Sequence, residues 1–331
     1  MTKVFIDGEA GTTGLRIHER LAQRTDIELL HIPDELRKDP ATRQQFLNEA
    51  DIAFLCLPDA ASIEAVELLQ SDSTVLIDTS TAHRTAADWT YGFAEVNGLR
   101  EQIAASKRIA NPGCHASGFV SLVAPLVAAG IICADAQLSA TSLTGYSGGG
   151  KKMIAQYEQD AVMAPGTGVD GAASSAVIPA EQLLQAPRMY GLTQQHKHLP
   201  EMRKVCGLDV DPAFCPIVAP YYAGMEVIVP LPANALASGA RLADVQAAYA
   251  KAYAAGSGLV HYVEAADEGG FLSAAAFSGR DDMQVTAIGN DERIVLVSRF
   301  DNLGKGASGA AIQNMNIVLG VDEACGLNVE A

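Results

Sequence analysis

The octapeptide Asn-Pro-Gly-Cys-His-Ala-Ser-Gly, at 111–118, holds the residue best suited to nucleophilic chemistry, Cys114. Its Pro-Gly pair predicts a tight turn, and the apolar run at 119–127 predicts a buried helix after it. Cys114 is then expected at the first helical turn, where the helix dipole stabilises a thiolate and backbone N–H groups can hold an oxyanion. A cysteine beside a turn is more often merely buried, but this setting favours a catalytic nucleophile.

A thiol nucleophile needs a proton acceptor, and two histidines of a His-Lys-His-Leu-Pro-Glu segment are the best candidates. If the segment is extended, His196 and His198 share one side and Lys197 faces the other. We interpret His198 as the acid or base, oriented by Glu201, and His196 as a substrate ligand, with the reverse assignment left open. His115 diverges from the adjacent nucleophile and is expected either to be structural or to support a residue that contacts the substrate. A surface position is expected for His18, His31, His83 and His261.

A glycine-rich turn near the N-terminus has the context of a phosphate-binding loop. It follows an apolar strand at 4–6 and precedes a segment at 15–21 with apolar residues at helical spacing. Glycines let the backbone approach a pyrophosphate, and free N–H groups at the start of the helix favour its negative charge. Such a turn is a weak signal by itself. The residues assigned to it are Gly8, Gly11, Thr12, Thr13 and Gly14.

Apolar strands that alternate with helical segments extend this turn into a dinucleotide-binding unit. Continuously apolar strands are typical of a parallel sheet covered on both faces, and ligands bind at the carboxyl ends of its strands. Leu57, Pro58 and Ser80 fall at such ends. Further strands are predicted at 27–30, 52–57 and 74–78.

The residues after the second strand bear on the choice of cofactor. An acidic residue there binds the ribose 2′-hydroxyl of NAD, whereas an arginine nearby suits the 2′-phosphate of NADP. Asp34 lies past a proline and is poorly placed, and Arg37 follows it. NADP(H) is therefore the favoured cofactor.

The second half of the chain has strand-like stretches joined by turns, which indicates an α+β unit with paired antiparallel strands. The turn between the last two strands is expected at Gly289-Asn290-Asp291, and a helix is expected at 308–319. The strands are predicted at 138–143, 225–231, 271–277, 283–288 and 294–300.

Composition excludes several classes of partner. The formal net charge of −16 opposes binding to nucleic acid. No run of 18 apolar residues is present, which excludes a membrane span, and the N-terminus lacks a signal-peptide pattern, so a cytoplasmic location is expected. The six cysteines form no C-x-x-C pair, so neither disulfides nor a metal site is indicated, and most are expected to be small buried hydrophobes.

An anionic substrate needs local cations against this acidic background. Arg84 and the pair Lys151-Lys152 are the best candidates, because a guanidinium suits a bidentate contact with an oxyanion. Solvated surface charges are the alternative. The glycine run at 148–150 lacks P-loop spacing, so kinase activity is rejected.

In their order along the chain, these motifs resemble the N-acetyl-γ-glutamyl-phosphate reductase family of arginine biosynthesis, nearly from end to end. His-Lys-His-Leu-Pro-Glu is close to the family's His-Arg-His-Thr-Pro-Glu, and the Asn-Pro-Gly-Cys turn matches. The fairly short chain resembles the second, shorter type of this reductase. Other segments similar to the family's lie at 78–84, 91–95 (with Ala94 in place of proline), 145–151 and 301–309.

The resemblance implies NADPH-dependent reduction of N-acetyl-γ-glutamyl phosphate to the 5-semialdehyde and phosphate through a cysteine thioester. It implies a Rossmann-type α/β NADP-binding domain at 1–116, completed by a C-terminal helix at 302–331. An α+β catalytic and dimerisation domain with a mainly antiparallel sheet is expected at 117–301, in a homodimer or homotetramer. Further cofactor contacts are expected from Asn302, Lys305 and Gly306, and substrate contacts from Ser80, Arg84, Asn111, Ser147, Gly148 and Lys151.

Two alternatives are kept. Aspartate-semialdehyde dehydrogenase shares the fold and the cysteine chemistry, but the His-x-His-x-Pro-Glu segment speaks against it. A catalytically silent nucleotide sensor belongs to another functional class, and a sensor would not need the nucleophile, both histidines and Lys305. Whether the substrate is free or linked to a carrier protein is left open.

Overall fold

A parallel sheet of six strands forms in the first third of the chain. The computed structural model describes residues 1–96, 98–163, 183–237, 239–254, 256 and 258–329. The strands of this sheet are β1 (Thr2–Asp7), β2 (Ile27–Leu30), β3 (Ile52–Leu55), β4 (Val75–Asp78), β5 (Thr90–Tyr91) and β6 (Arg108–Ala110). They lie in the order β2-β1-β3-β4-β6-β5, with every neighbouring pair parallel.

Four helices follow these strands and give the sheet an apolar core on each face. They are α1 (Thr12–Leu21), α2 (Pro40–Glu49), α3 (Asp59–Leu68) and α4 (Leu99–Ala105). Val4 packs in the same core as Ile17 of α1, whereas the next residue, Phe5, packs with Leu47 of α2 on the opposite face. Successive side chains of a strand point to opposite faces, so a sheet covered on both sides requires continuously apolar strands.

A second, mixed sheet of seven strands follows. Its strands are β7 (Ser139–Gly145), β8 (Arg188–Met189), β9 (Ala213–Ala219), β10 (Met225–Pro232), β11 (Val260–Tyr262), β12 (Met283–Asn290) and β13 (Arg293–Phe300). Their order is β11-β12-β13-β10-β7-β9-β8. The pairs β7–β9 and β11–β12 are parallel, and the other pairs are antiparallel. The predicted combination of a Rossmann-type unit with an α+β unit of mainly antiparallel strands is confirmed.

A buried helix lies against one face of this second sheet. The helices of the region are α5 (Cys114–Ala128), α6 (Gly150–Met163), α7 (Leu199–Cys206) and α8 (Leu242–Ala252). Every residue from His115 to Leu126 of α5 is buried, because the helix packs against β10, β13, α7 and α8. Cys114 is the first residue of α5, so the fold carries it to the point where the two sheets meet.

The C-terminal segment returns to the first sheet. A π-helical turn, Gly304–Ser308, leads into α9 (Gly309–Leu319). Ala311, Ile312 and Met315 of α9 share a hydrophobic core with Val4 and other residues of the first sheet. The last helix therefore packs on residues that lie about 300 positions earlier in the chain.

Several sequence predictions about the second sheet and the cysteines are wrong. The segment 271–277 forms turns instead of a strand, with Phe271 77% exposed. The β12–β13 ladder continues to the Asn290–Arg293 pair, so the hairpin turn is Asp291-Glu292. Asn290 Oδ1 accepts hydrogen bonds from the backbone N–H groups of Glu292 and Arg293. Strand β9 was missed because a proline in its centre is unusual within sheets. Of the six cysteines, Cys206 is buried but Cys133 is exposed. In the part of the chain that the structure describes, no helix has the length and apolar character needed to cross a bilayer.

Candidate active site

Cys114 lines a cavity of about 370 Å³ between the two sheets. The first unit contributes the start of α1 and the loop after β4, and the second contributes the loop before α7 and the turn after β7. The π-helical turn forms one wall, where Gly306 lies so close to Cys114 that an added Cβ would be 3.0 Å from the cysteine Cβ. The carboxyl end of the parallel sheet and the start of α5 thus open into one space.

The turn before Cys114 requires a glycine. Gly113 caps α5 with extended backbone and no side-chain cap. A Cβ at this position would overlap Arg84 Nη1, His198 Nε2 and Glu201 Oε1. The polar groups around the nucleophile can therefore approach it only because residue 113 has no side chain.

Burial raises the pKa of the Cys114 thiol to about 11. The Arg84 guanidinium and the His115 backbone N–H act in the opposite direction but do not outweigh the loss of solvent. We expected the helix start to give a thiolate, and this is wrong for the free cavity. The reason is that a charged sulfur has few compensating partners in an enclosed site.

Glu201 does not orient His198 in this structure. Its Oε1 lies 3.9 Å from His198 Nε2, too far for a hydrogen bond. The buried carboxylate instead accepts hydrogen bonds from Arg84 Nη1 (2.9 Å), the Tyr91 hydroxyl (2.9 Å) and the Gly113 N–H (3.1 Å). Glu201 therefore fixes the turn that precedes the nucleophile.

Arg84 lines the cavity with a guanidinium that is already engaged on three sides. Besides its ion pair with Glu201, Nε donates to the Asn111 carbonyl at 2.9 Å and Nη2 to the Thr79 carbonyl at 3.1 Å. Asn111 also lines the cavity, but its amide donates to the Ala307 carbonyl and accepts from Asn314. The charge of Arg84 is thus balanced by Glu201, and Asn111 links two walls of the site.

The two predicted catalytic histidines lie side by side, with ring centroids 4.7 Å apart. Burial, reinforced by Arg84, lowers the pKa of His198 well below its usual range, and burial also lowers the pKa of His196. Both rings are therefore neutral at pH 7. His198 Nδ1 is buried and has no hydrogen-bond partner among the described residues. His196 Nδ1 accepts from the His198 backbone N–H at 3.2 Å.

The cavity residues that sequence reasoning missed include Lys197 and Tyr190. Lys197 was expected to face away from the histidines, but it is exposed at the cavity and lines it. Tyr190 also lines the cavity, and its hydroxyl lies 2.6 Å from His115 Nε2. An isolated tyrosine in a loop carries no local signal, because its partner is 75 positions away.

Ser80, Lys305 and Lys151 were predicted to be site residues, but they do not line the cavity around Cys114. Ser80 is buried, and its hydroxyl donates to Asp78. Lys305 is fully buried, with Nζ 2.8 and 2.9 Å from the two carboxylate oxygens of Glu95, so it cannot reach a cofactor in the cavity. Lys151 is exposed and does not line the cavity. His83 was expected at the surface, but it is mostly buried, because it contacts Asp78 and stacks on Trp89.

Several other predicted substrate and cofactor contacts line the cavity around Cys114. Asn302 donates from Nδ2 to the Ser147 hydroxyl at 3.0 Å and accepts from the Gly224 N–H at 3.0 Å. These bonds join the turn after β7 to the segment that follows β13. Thr12, Thr13, Ser147, Gly148, Asn302 and Gly306 all line the cavity.

A second cavity of about 650 Å³ lies beside the glycine turn, along the carboxyl end of the parallel sheet. Its walls include Gly8, Gly11, Leu57, Pro58 and Arg37. Asp34 and Lys38 also line it, and Arg37 lies 3.9 Å from Asp34.

The shape of the glycine turn fits a dinucleotide. Gly8 has a φ of +89°, and a Cβ there would overlap the Cys56 carbonyl. A Cβ at Gly14 would overlap the Gly8 carbonyl, so Gly14 permits close packing of helix and turn and does not line either cavity. No side chain caps the N-terminus of α1, which leaves its first N–H groups for an anion.

Comparison with known proteins agrees with this geometry. Residues 30–106 match a family model described as "Semialdehyde dehydrogenase, NAD binding domain", and residues 159–302 match one described as "Semialdehyde dehydrogenase, dimerisation domain". Among solved structures, the fold is similar to aspartate semialdehyde dehydrogenase from Francisella tularensis (TM-score 0.71, 15% identity, 96% of this chain and 100% of that chain). A second similar fold is aspartate semialdehyde dehydrogenase II from Vibrio cholerae (TM-score 0.65, 17% identity, 96% and 98%).

Sequence relatives are much more similar. The chain is 45% identical to N-acetyl-gamma-glutamyl-phosphate reductase of Allorhizobium ampelinum, over 96% of this chain and 98% of the relative. It is 43% identical to N-acetyl-gamma-glutamyl-phosphate reductase 2 of a Nostoc species, over 98% and 99%. The resemblance seen in the motifs is thereby confirmed, and the chain belongs to the N-acetyl-gamma-glutamyl-phosphate reductase family.

Proposed function

We propose that this chain uses NADPH to reduce N-acetyl-γ-glutamyl phosphate to N-acetylglutamate 5-semialdehyde and phosphate, through a thioester on Cys114. The observation that carries the proposal is the position of Cys114 at the start of α5, in one cavity with His198 and Arg84. The reductase names of the 43–45% identical relatives support the choice of substrate. The aspartate semialdehyde dehydrogenases share 15–18% identity and support the fold alone.

The first step is attack of the Cys114 sulfur on the acyl carbon. At neutral pH the thiol is protonated, because burial raises its pKa to about 11, and the pKa of His198 is low enough that the imidazole is neutral. A neutral thiol and a neutral imidazole on the walls of one cavity suit general-base catalysis, in which the proton moves as the S–C bond forms. The C–O bond to the phosphate breaks, and His198 passes the proton to the departing phosphate.

The second step reduces the thioester. NADPH, when bound, supplies the hydride for this reduction. The residues proposed to hold the cofactor are Gly8, Gly11, Thr12 and Thr13 at the pyrophosphate, Leu57 and Pro58 along the strand ends, Arg37 at the 2′-phosphate, and Asn302 and Gly306 towards Cys114. The aldehyde then leaves as the S–C bond breaks, and Cys114 takes a proton from solvent through His198.

Lys197 is proposed to bind the phosphate of the substrate. Arg84 and Lys197 are the cations on the described walls of the cavity, and the charge of Arg84 is paired with Glu201. Lys197 has no ion pair within the described part of the chain. Its charge helps to lower the pKa of Asp59, but that carboxylate accepts hydrogen bonds from Thr81. An unpaired ammonium at the cavity can form a charge-assisted hydrogen bond with the doubly negative phosphate of the substrate.

We also propose a homodimer or homotetramer. The match to a dimerisation-domain family model supports an oligomer. The face of the second sheet opposite α5 carries the partly exposed apolar side chains of Leu143, Ile217 and Ile228, with Leu143 paired to Ile217. Light scattering of the purified protein would give its mass in solution, and a monomer would contradict this part of the proposal.

The test of the reaction is phosphate-dependent reduction of NADP by the purified protein with N-acetylglutamate semialdehyde, run beside aspartate semialdehyde. Turnover with the acetylated substrate is the expected result, and loss of turnover in Cys114→Ser with NADP binding retained would assign the nucleophile. Turnover with aspartate semialdehyde alone would overturn the substrate assignment but leave the cysteine chemistry intact. No turnover with either substrate would contradict the proposal.

A further inference from the structure

A chain of hydrogen bonds runs from the interior of the second sheet to the cavity. Ser142 of β7 is fully buried, and its hydroxyl oxygen lies 2.7 Å from His115 Nδ1. His115 Nε2 lies 2.6 Å from the hydroxyl oxygen of Tyr190, which lines the cavity. None of these three residues is needed for the chemistry assigned above to Cys114 and His198.

The serine decides which nitrogen of His115 carries the proton. Within the described residues, His115 Nδ1 is the only hydrogen-bond partner of the Ser142 hydroxyl. A buried hydroxyl proton without an acceptor costs about 1–3 kcal/mol, so the serine donates and Nδ1 accepts. Burial lowers the pKa of His115 to about 3, which keeps the ring neutral. A neutral imidazole has a single N–H, which must then be on Nε2.

This tautomer determines what Tyr190 can do. The Nε2–H of His115 donates to the phenolic oxygen, so the proton of that phenol points elsewhere. Tyr190 has no other hydrogen-bond partner among the described side chains, and its side chain lines the cavity. Burial raises the pKa of the phenol, and the charge of an ionised Cys114 raises it further, so the hydroxyl stays protonated. Cys114 lines the same cavity as Tyr190.

We propose that Tyr190 is a further catalytic residue, whose hydroxyl donates a hydrogen bond to the substrate carbonyl oxygen while Cys114 attacks the carbon. Ser142 and His115 are positioning residues, because they hold Tyr190 as a donor without touching the substrate. The donor stabilises negative charge as it develops on the oxygen. No proton leaves the tyrosine in this step. The proposal rests on the proposed function, since it assumes a carbonyl bonded to the Cys114 sulfur.

The first test does not depend on the substrate. Nitrogen chemical shifts of ¹⁵N-histidine-labelled protein, assigned by loss of the signal in His115→Gln, report which ring nitrogen is protonated. We expect His115 as the neutral Nε2–H tautomer from pH 6 to 8. A neutral Nδ1–H tautomer or a protonated ring would overturn the proposal, whatever the reaction proves to be.

The second test measures the reaction in the direction of NADP reduction. Tyr190→Phe removes the donor but keeps the ring, so we expect kcat to fall on the order of 100-fold, with the KM values for phosphate and aldehyde within about threefold. Tyr262→Phe is the matched control, because Tyr262 does not line the cavity and its buried hydroxyl has no partner among the described residues. An unchanged kcat, or a loss confined to the KM for phosphate, would overturn the role at the carbonyl.

The third test separates a positioning role from a structural one. Ser142→Ala should lower kcat about fivefold, the effect of losing one ordinary hydrogen bond of about 1 kcal/mol. The double variant Ser142→Ala/Tyr190→Phe should be no slower than Tyr190→Phe, since the serine acts through the tyrosine. Ser121→Ala, another fully buried serine with a hydrogen-bonded hydroxyl, is the control and should leave kcat unchanged. Additive losses in the double variant would contradict the chain of positioning.

If the wild type fails with both aldehydes while the tautomer is as expected, the proposed function has failed and not the tautomer assignment.

Discussion

The carboxylate of Glu201 binds the guanidinium of Arg84 at 2.9 Å, although the two residues are 117 positions apart in the chain. Both side chains are almost fully buried, with 1% and 8% exposed. Through this pair, α7 holds the loop after β4, and the same carboxylate holds the N–H of Gly113 beside the nucleophile. The site therefore contains an ion pair whose function is to place neighbouring groups.

Breaking this ion pair should destabilise the protein. In Glu201→Gln the Arg84 charge remains buried without a counter-charge, and we expect the free energy of unfolding to fall by about 3–5 kcal/mol. Urea denaturation measures it. The control is Asp88→Ala at the exposed pair Arg108–Asp88, which should cost no more than about 1 kcal/mol. Equal effects of the two variants would mean that the buried pair is not required for stability.

The reactivity of Cys114 in the free enzyme should depend steeply on pH. Because burial raises the pKa of the thiol to about 11, the thiolate fraction is small at pH 7 and grows with rising pH. The rate of inactivation by iodoacetamide should increase about tenfold per pH unit between pH 7 and 10. Alkylation of the exposed Cys133 is separated by following loss of activity. A rate that is level from pH 6 to 8 would indicate a preformed thiolate.

Removing the charge of Lys197 should weaken the binding of phosphate. In Lys197→Met we expect the KM for phosphate to rise about 10- to 100-fold, which corresponds to one charge-assisted contact of about 1.5–3 kcal/mol. The KM for the aldehyde should change little. Lys151→Met is the control, since this exposed lysine does not line the cavity. A matching rise in the control would point to long-range attraction instead of a binding contact.

Arg37 should determine the preference for NADP. Arg37→Ala removes a cation from the wall of the second cavity, and we expect the Kd for NADPH to rise about tenfold, with little change for NADH, which lacks the 2′-phosphate. Cofactor fluorescence titration measures both. Arg108→Ala, at the exposed pair with Asp88, is the control. An equal loss of affinity for NADH would mean that Arg37 contributes to the binding of both cofactors and does not recognise the 2′-phosphate specifically.

Local features of the site were predictable from the sequence. The glycines at 11 and 14 approach the backbone of Gly8 in the same turn, and Cys114 lies at the helix start that its own turn predicts. The fold class followed from apolar strands alternating with helices in the first third. These features depend on neighbours within a few residues, so a single sequence contains the information.

Features that depend on distant partners were not predictable. Lys305 looked like a cofactor ligand because its counter-charge, Glu95, is 210 positions away. Glu201 is three residues after His198, yet it binds groups from three earlier parts of the chain. The prediction that the Cys114 thiol has a low pKa was wrong for a similar reason, because the burial of a side chain depends on the whole fold.

The return of α9 to the first sheet has a consequence for the order in which the protein can be built. The strands of the first sheet are synthesised long before residues 309–319, yet Ile312 and Met315 pack in the same core as Val4 and Ile77. A nascent chain that ends near residue 116 therefore exposes an unfilled apolar face, and the earlier unit gains its full core only when synthesis is nearly finished. Removal of the chain from α9 onwards should therefore destabilise the first sheet more than the second sheet. This is expected even though the point of truncation follows the last strand of the second sheet.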